Sequence, residues 1–108
     1  MKDQPFSIKT SLNQASNSLT IIFEGDLGIK NAEEIKNTIQ TIDISGDSVT
    51  MHLKNVENLD ITSIQTIMAL RIFLNSKGKK TNLLLEIPQN IERLLKNTGL
   101  DKTMQKNT

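Results

Sequence analysis

A chain of 108 residues matches one compact domain, long enough to bury roughly two-thirds of its unfolded surface without a covalent staple. It contains no cysteine, which excludes disulfides, thiol catalysis and cysteine-bound metals and agrees with a reducing compartment. Thirteen basic against twelve acidic residues leave a net charge of +1, and the aromatic residues are three Phe, so the composition offers neither a basic footprint for nucleic acid or membrane nor a base-stacking platform.

In chain order, the first predicted elements are two strands, at 6–12 and 19–24, parted by the turn-like "NQASNS". In the second, Leu19, Ile21 and Phe23 alternate with Thr20, Ile22 and Glu24, a period of two. "EGDLG" follows and reads as a loop. "NAEEIKNTIQTI" then opens a helix: Asn31 is placed to cap it, with Glu34 three positions later as in a capping box. Ala32, Ile35, Ile39 and Ile42 form its narrow apolar stripe. "SGD" at 45–47 breaks the chain before a third strand, where Val49, Met51 and Leu53 alternate with Thr50, His52 and Lys54.

Beyond "NVEN" the run Ile64, Ile67, Met68, Leu70, Ile72, Phe73 and Leu74 is too long and too apolar for a strand, so it predicts a largely buried helix over about 62–76. Gly78 in "SKGKK" suits its C-cap, and the cations suit a helix C-terminus. "TNLLLEI" is a fourth strand, expected to be central because its apolar run is nearly continuous. Pro88 suits the first turn of a last helix, whose face carries Ile91, Leu94, Leu95 and Thr98 and which stops at Gly99-Leu100.

The order β-β-α-β-α-β-α implies an α/β domain with right-handed crossovers, a mixed sheet of four or five strands, and helices mainly on one face. The strands at 48–54 and 81–87 are expected to be parallel, because the helix between them is too long for a hairpin link. No apolar run reaches the ~20 residues of a bilayer span, and "MKDQPFSIKT" lacks the apolar core of a secretion signal. The expectation is one cytoplasmic domain over 1–108, without membrane insertion and with its core at about 6–104.

Few residues offer chemistry. His52 is the single histidine, on an outward strand position with no nucleophile spaced around it, and reads as an ordinary surface residue. Glu33 and Glu34 sit in a first helical turn, where negative charge suits the macrodipole. "EGDLG" lacks the spaced glycines and lysine of a phosphate loop. One histidine and no acidic cluster at ligand spacing give no metal site, and no cofactor is implied. The remaining cluster is "DITS", residues 60–63. Asp60 is a strong N-cap, and Thr62 and Ser63 are tolerated in a first turn. The same loop also lies at the carboxyl end of a parallel strand, where α/β proteins place their sites, and a helix N-terminus favours added negative charge. The residues by themselves leave both readings open.

The order of these segments resembles the STAS domain, the fold of bacterial anti-sigma-factor antagonists, over about residues 6–104. The family pattern is an apolar strand, a turn, then Asp-Ser-Ser-Gly-Leu or Asp-Thr-Ala-Gly-Leu opening an apolar helix, followed by a Lys/Gly turn, a strand, a helix and Thr-Gly-Leu. Here these are Asp60-Ile61-Thr62-Ser63-Ile64, Lys77-Gly78, residues 83–87 and Thr98-Gly99-Leu100. "FEGDLGIKNAEEI" is similar to the family's Gly-Glu-Leu-Asp loop before the first helix. The resemblance implies a non-enzymatic protein-binding module of signal transduction and transcription regulation. It would act by partner switching with a histidine-kinase-like anti-sigma factor that phosphorylates the hydroxyl residue after the motif aspartate. It also implies a rival, the STAS subunit of a lipid-transport ATPase complex or other assembly, with no phospho-switch.

The chain departs from that pattern at the switch. Ile61 stands at the acceptor position and has no hydroxyl, Ser63 replaces the motif glycine, and Gly28 replaces the acid that ends the loop. A helix turns about 100° per residue, so Thr62 and Ser63 do not present their oxygens where the usual acceptor would. The expectation is a lost phospho-switch on a retained partner-binding surface. That surface would comprise Asp26 and Gly28 of the loop and the small, uncharged stripe Thr62, Gln65, Thr66 and Ala69.

Overall fold

Alternation of apolar and polar residues along the chain becomes strand pairing wherever it was predicted. A computed structural model describes residues 6–87 and 89–98. β1 (Phe6–Asn13) and β2 (Ser18–Leu27) lead through a 3₁₀ turn (Ile29–Asn31) into α1 (Ala32–Thr41). β3 (Ser48–Leu59), α2 (Ile61–Ser76), β4 (Lys80–Leu85) and α3 (Gln89–Thr98) follow. The sheet has the order β1-β2-β3-β4. β1 is antiparallel to β2, whereas β2–β3 and β3–β4 are parallel, so this is the mixed sheet of an α/β domain. Pro88, Gly99 and Leu100, and the side chains of Leu94, Leu95 and Thr98, lie outside the described residues.

The pleat sorts the strand residues. Leu19, Ile21, Phe23, Val49, Met51, Leu53 and Leu83 pack in one cluster with Ile35 and Ile39 of α1, Ile64, Ile67, Met68 and Leu74 of α2, and Ile91 of α3. Each such side chain contributes about 1.5–3 kcal/mol by leaving water. Their alternates Thr20, Ile22, Thr50, His52, Asn82 and Leu84 are half-buried or exposed, so the helices lie against one face of the sheet.

Four local expectations are corrected. β4 is an edge strand and not central: it pairs with β3 alone among the described residues, and Leu84 is 47% exposed. Its continuous apolar run reflects Leu83 and Leu85 facing the core and Leu84 lying on the open face. "EGDL" is strand, because Gly25, Asp26 and Leu27 keep pairing with β3 through register shifts. "NVEN" is likewise the far end of β3, passing through a left-handed Asn55 at φ 52°. α2 is buried on one side only. Ile72 and Phe73 are 65% and 55% exposed, while Arg71 takes an inward position and donates from Nε to Thr81 Oγ1 at 3.1 Å.

The expected end of α2 does form. Gly78 has φ 85°, its N–H donates to Asn75 O, and the Lys79 N–H donates to Leu74 O. These paired bonds satisfy the last carbonyls as a Schellman motif does.

Candidate functional site

Parallel pairing brings the carboxyl ends of β2 and β3 to one edge of the sheet, with Asp26 opposite Asn58 and Leu27 opposite Leu59. The Asp60 N–H donates to Leu27 O at 3.1 Å, which ties the loop after β2 to the start of α2. The two segments singled out from the sequence, 24–28 and 60–63, are therefore neighbours.

Gly28 is buried in this junction, and its N–H donates to Asp26 Oδ1 at 2.9 Å. Its backbone is extended at φ −82°, so close approach and not backbone freedom is what favours glycine here. A Cβ at this position would meet Asn58 Nδ2 at 2.5 Å and Asp26 Oδ1 at 2.9 Å. Any larger residue at 28 must swing the Asn58 amide aside. Asn31 does not cap α1 with its side chain: its Nδ2 donates to Asp26 O at 2.8 Å, and its N–H donates to Gly28 O. The capping box is thus replaced by a clasp on the loop, because the chain enters α1 through a 3₁₀ turn that aims Asn31 backwards. Sequence reasoning missed Asn31 as a support of the junction and Asn58 as the side chain that crowds Gly28. The sequence offered a signal for Asn31 alone, an amide side chain shortly after the predicted loop, because Asn58 comes near that loop only through the pairing of β2 with β3.

Asp60 does cap. Its backbone is extended at φ −102° and ψ 154°, and Oδ2 accepts from the Thr62 N–H at 2.9 Å. Ile61 follows, half-buried, as the first residue of α2. The two nearby hydroxyls are in different environments. Thr62 is exposed, whereas Ser63 is 0% exposed and its Oγ has no hydrogen-bond partner. A modifying enzyme can reach Thr62 without opening the helix and cannot so reach Ser63.

Along α2, Thr62, Gln65 and Ala69 are exposed and Thr66 is half-buried. These four line a groove of about 700 Å³ between α1 and α2, with apolar walls from Ile39, Ile42, Ile44, Leu70 and Phe73 and with Lys36 and Gln40 also lining it. Asp26 and Gly28 do not line this groove. The predicted contact set therefore divides into a junction at the strand ends and a groove along α2, meeting at Thr62.

His52 lies on the open face, away from both. Its side chain is 17% exposed, so it is more enclosed than the expected surface residue. Its Nε2 is 3.1 Å from Glu86 Oε2 but makes no aligned hydrogen bond. Among the described residues no three His, Asp or Glu side chains are grouped to hold a metal ion, and no helix is long and apolar enough to cross a membrane.

No family model and no curated protein matches the sequence. Solved structures do match it. An anti-sigma factor antagonist from Mycobacterium paratuberculosis superposes with a TM-score of 0.66 at 21% identity, over 90% of this chain and 82% of that one. The anti-sigma factor antagonist SpoIIAA in its unphosphorylated form gives 0.64 at 15% identity, over 89% and 84%. The STAS domain of an antisigma-factor antagonist from Rhodobacter sphaeroides gives 0.62 at 17% identity, over 73% and 85%. At these identities the likeness is one of fold.

Proposed function

For this chain with its STAS-like fold, we propose the function of a cytoplasmic, non-enzymatic regulatory module that binds another protein, resembling an anti-sigma-factor antagonist whose phosphoacceptor is absent. The observation that carries the reading is Ile61. It opens α2 directly after the capping Asp60, at the position where the family carries its hydroxyl. Gly28 and Ser63 support it, one lacking the usual acid and the other sealed from solvent.

The partner is a histidine-kinase-like anti-sigma factor that meets the junction around Asp26, Gly28 and Thr62 and the adjoining stripe Gln65, Thr66 and Ala69. A phosphate would add about −2 charge at this contact and repel or reorganise it. With no acceptor at 61 that charge is not added, and the partner is held constitutively. Two measurements test this on protein taken from the cells that make it. Intact-mass spectrometry should find no stoichiometric phosphate. Affinity capture should recover a kinase-like ATPase. Full phosphate on Thr62 would overturn the constitutive reading, and recovery of a lipid-transport ATPase in place of the kinase would assign the chain to that assembly instead.

A further inference from the structure

The two edges of the sheet differ in how they are protected. β4 is six residues long, begins at Lys80 directly after Lys79 and is followed by Glu86, so charge brackets it. Short, charged edges resist pairing with another strand. β1 is eight residues long, without proline or register shift, and Lys9 is its single charge. Residues 7–13 pair with β2 on one side and with no strand on the other among the described residues. That outer side presents a row of backbone donors and acceptors, for which another β-strand is the natural complement.

We propose that the occupant is β1 of a second copy, added antiparallel about a twofold axis at Thr10, to give a continuous eight-stranded sheet. Pairing with β2 places Ile8, Thr10 and Leu12 on the helix side of the sheet, opposite Phe23, Ile21 and Leu19, and Lys9 and Ser11 on the open side. A continuous sheet with both helix layers on one side requires registers that keep this alternation. One such register sets Lys9 against Lys9 of the second copy, and like charges directly opposite are destabilising. Moving the axis to Thr10 removes that clash. Thr10 then faces its own copy, Ser11 faces Lys9, and Leu12 faces Ile8. Threonine pairs and aliphatic pairs across strands are favourable. Leu12, at 42% exposed, and the half-buried Ile8 gain cover from each other. An interface confined to one strand pair falls below the ~1,200 Å² of stable complexes, so the dimer is weak and concentration-dependent. It leaves the junction and the α1/α2 groove open, and it stands or falls independently of the partner proposed for them.

Sedimentation velocity of the full chain from about 1 µM to about 1 mM, the range of weak association, should show a monomer passing to a dimer. Leu12→Lys, at an exposed position, should weaken that dimer by about tenfold or more while leaving the circular dichroism unchanged. The chain has no cysteine, so single-thiol variants report the register directly. Under mild oxidation Thr10→Cys should link to itself, because the two residues face each other, whereas Lys9→Cys should not. A monomer at every concentration would give the edge to some other occupant and overturn the proposal. Linking of Lys9→Cys as fast as Thr10→Cys would also overturn it, because the axis would then not lie at Thr10.

Discussion

At the scale of single residues, the start of α2 combines a satisfied polar group, an unsatisfied one and the half-buried, apolar Ile61. Asp60 accepts the Thr62 N–H, so Asp60→Ala should cost about 1 kcal/mol. Ser63 Oγ is buried without a partner, so its desolvation is not offset. Ser63→Ala should then be neutral within about 0.5 kcal/mol, or stabilising. Denaturant melts of the two variants decide this: a large loss for Ser63→Ala would mean that its hydroxyl is bonded in solution. Ile61→Ser places a hydroxyl beside the cap, at the position where the proposed function puts the missing acceptor. If the kinase-facing surface is intact, the variant should carry one phosphate at residue 61 when made in its own cells, while the wild type carries none, as intact-mass spectrometry would show. Weaker binding with no phosphate would identify Ile61 as a contact residue instead.

At the scale of elements, α2 carries apolar residues on its outer side as well as its inner one, with Ile72 and Phe73 exposed, and is buried on one side only. Ile67 is 0% exposed against the sheet. Thr66, one step around the helix, is half-buried and donates its hydroxyl to Thr62 O. Ile67→Ala should destabilise by roughly 2–5 kcal/mol, through lost transfer energy and the cavity left behind. Thr66→Ala should change stability by less than about 0.5 kcal/mol, and equal losses in chemical denaturation would mean that the helix face is misassigned. The end of α2 isolates backbone strain from crowding. A Cβ at Gly78 meets nothing within 4 Å, yet φ is +85°. Gly78→Ala should therefore cost about 1–2 kcal/mol from left-handed strain alone, read as a lowered melting temperature with unchanged binding.

At the scale of the molecule, one apolar cluster draws on three strands and all three helices. The radius of gyration, 13.4 Å, is near the about 13 Å expected of a single 100-residue domain. A core shared this widely leaves no element with a separate one. Unfolding should be a single transition, with a urea slope of about 1–3 kcal/mol/M. The chain has no Trp or Tyr, so circular dichroism and methyl NMR are the suitable probes. Midpoints that differ between the two would show that an element, with α3 the first to examine, unfolds on its own.

Local rules were enough for the strand alternation at Leu19–Phe23 and Val49–Leu53, the stripe of α1, the Asp60 cap and the Gly78 stop. Each depends on spacing along the chain or on a neighbour within a few residues, and the order of such elements already implied a parallel crossover. The rest depended on partners distant in sequence. β2 and β3 run on through "EGDL" and "NVEN" because each supplies backbone bonds to the other, and no local propensity records that. β4 lies at an edge because the sheet ends there, although its residues alone would suit a central strand. Asn31 turns from cap to clasp because the Asp26 carbonyl is within reach of its amide. Ser63 is sealed and Thr62 exposed because the sheet lies against only one side of α2. Spacing along a chain defines which residues share a face; only the packed structure decides what that face meets.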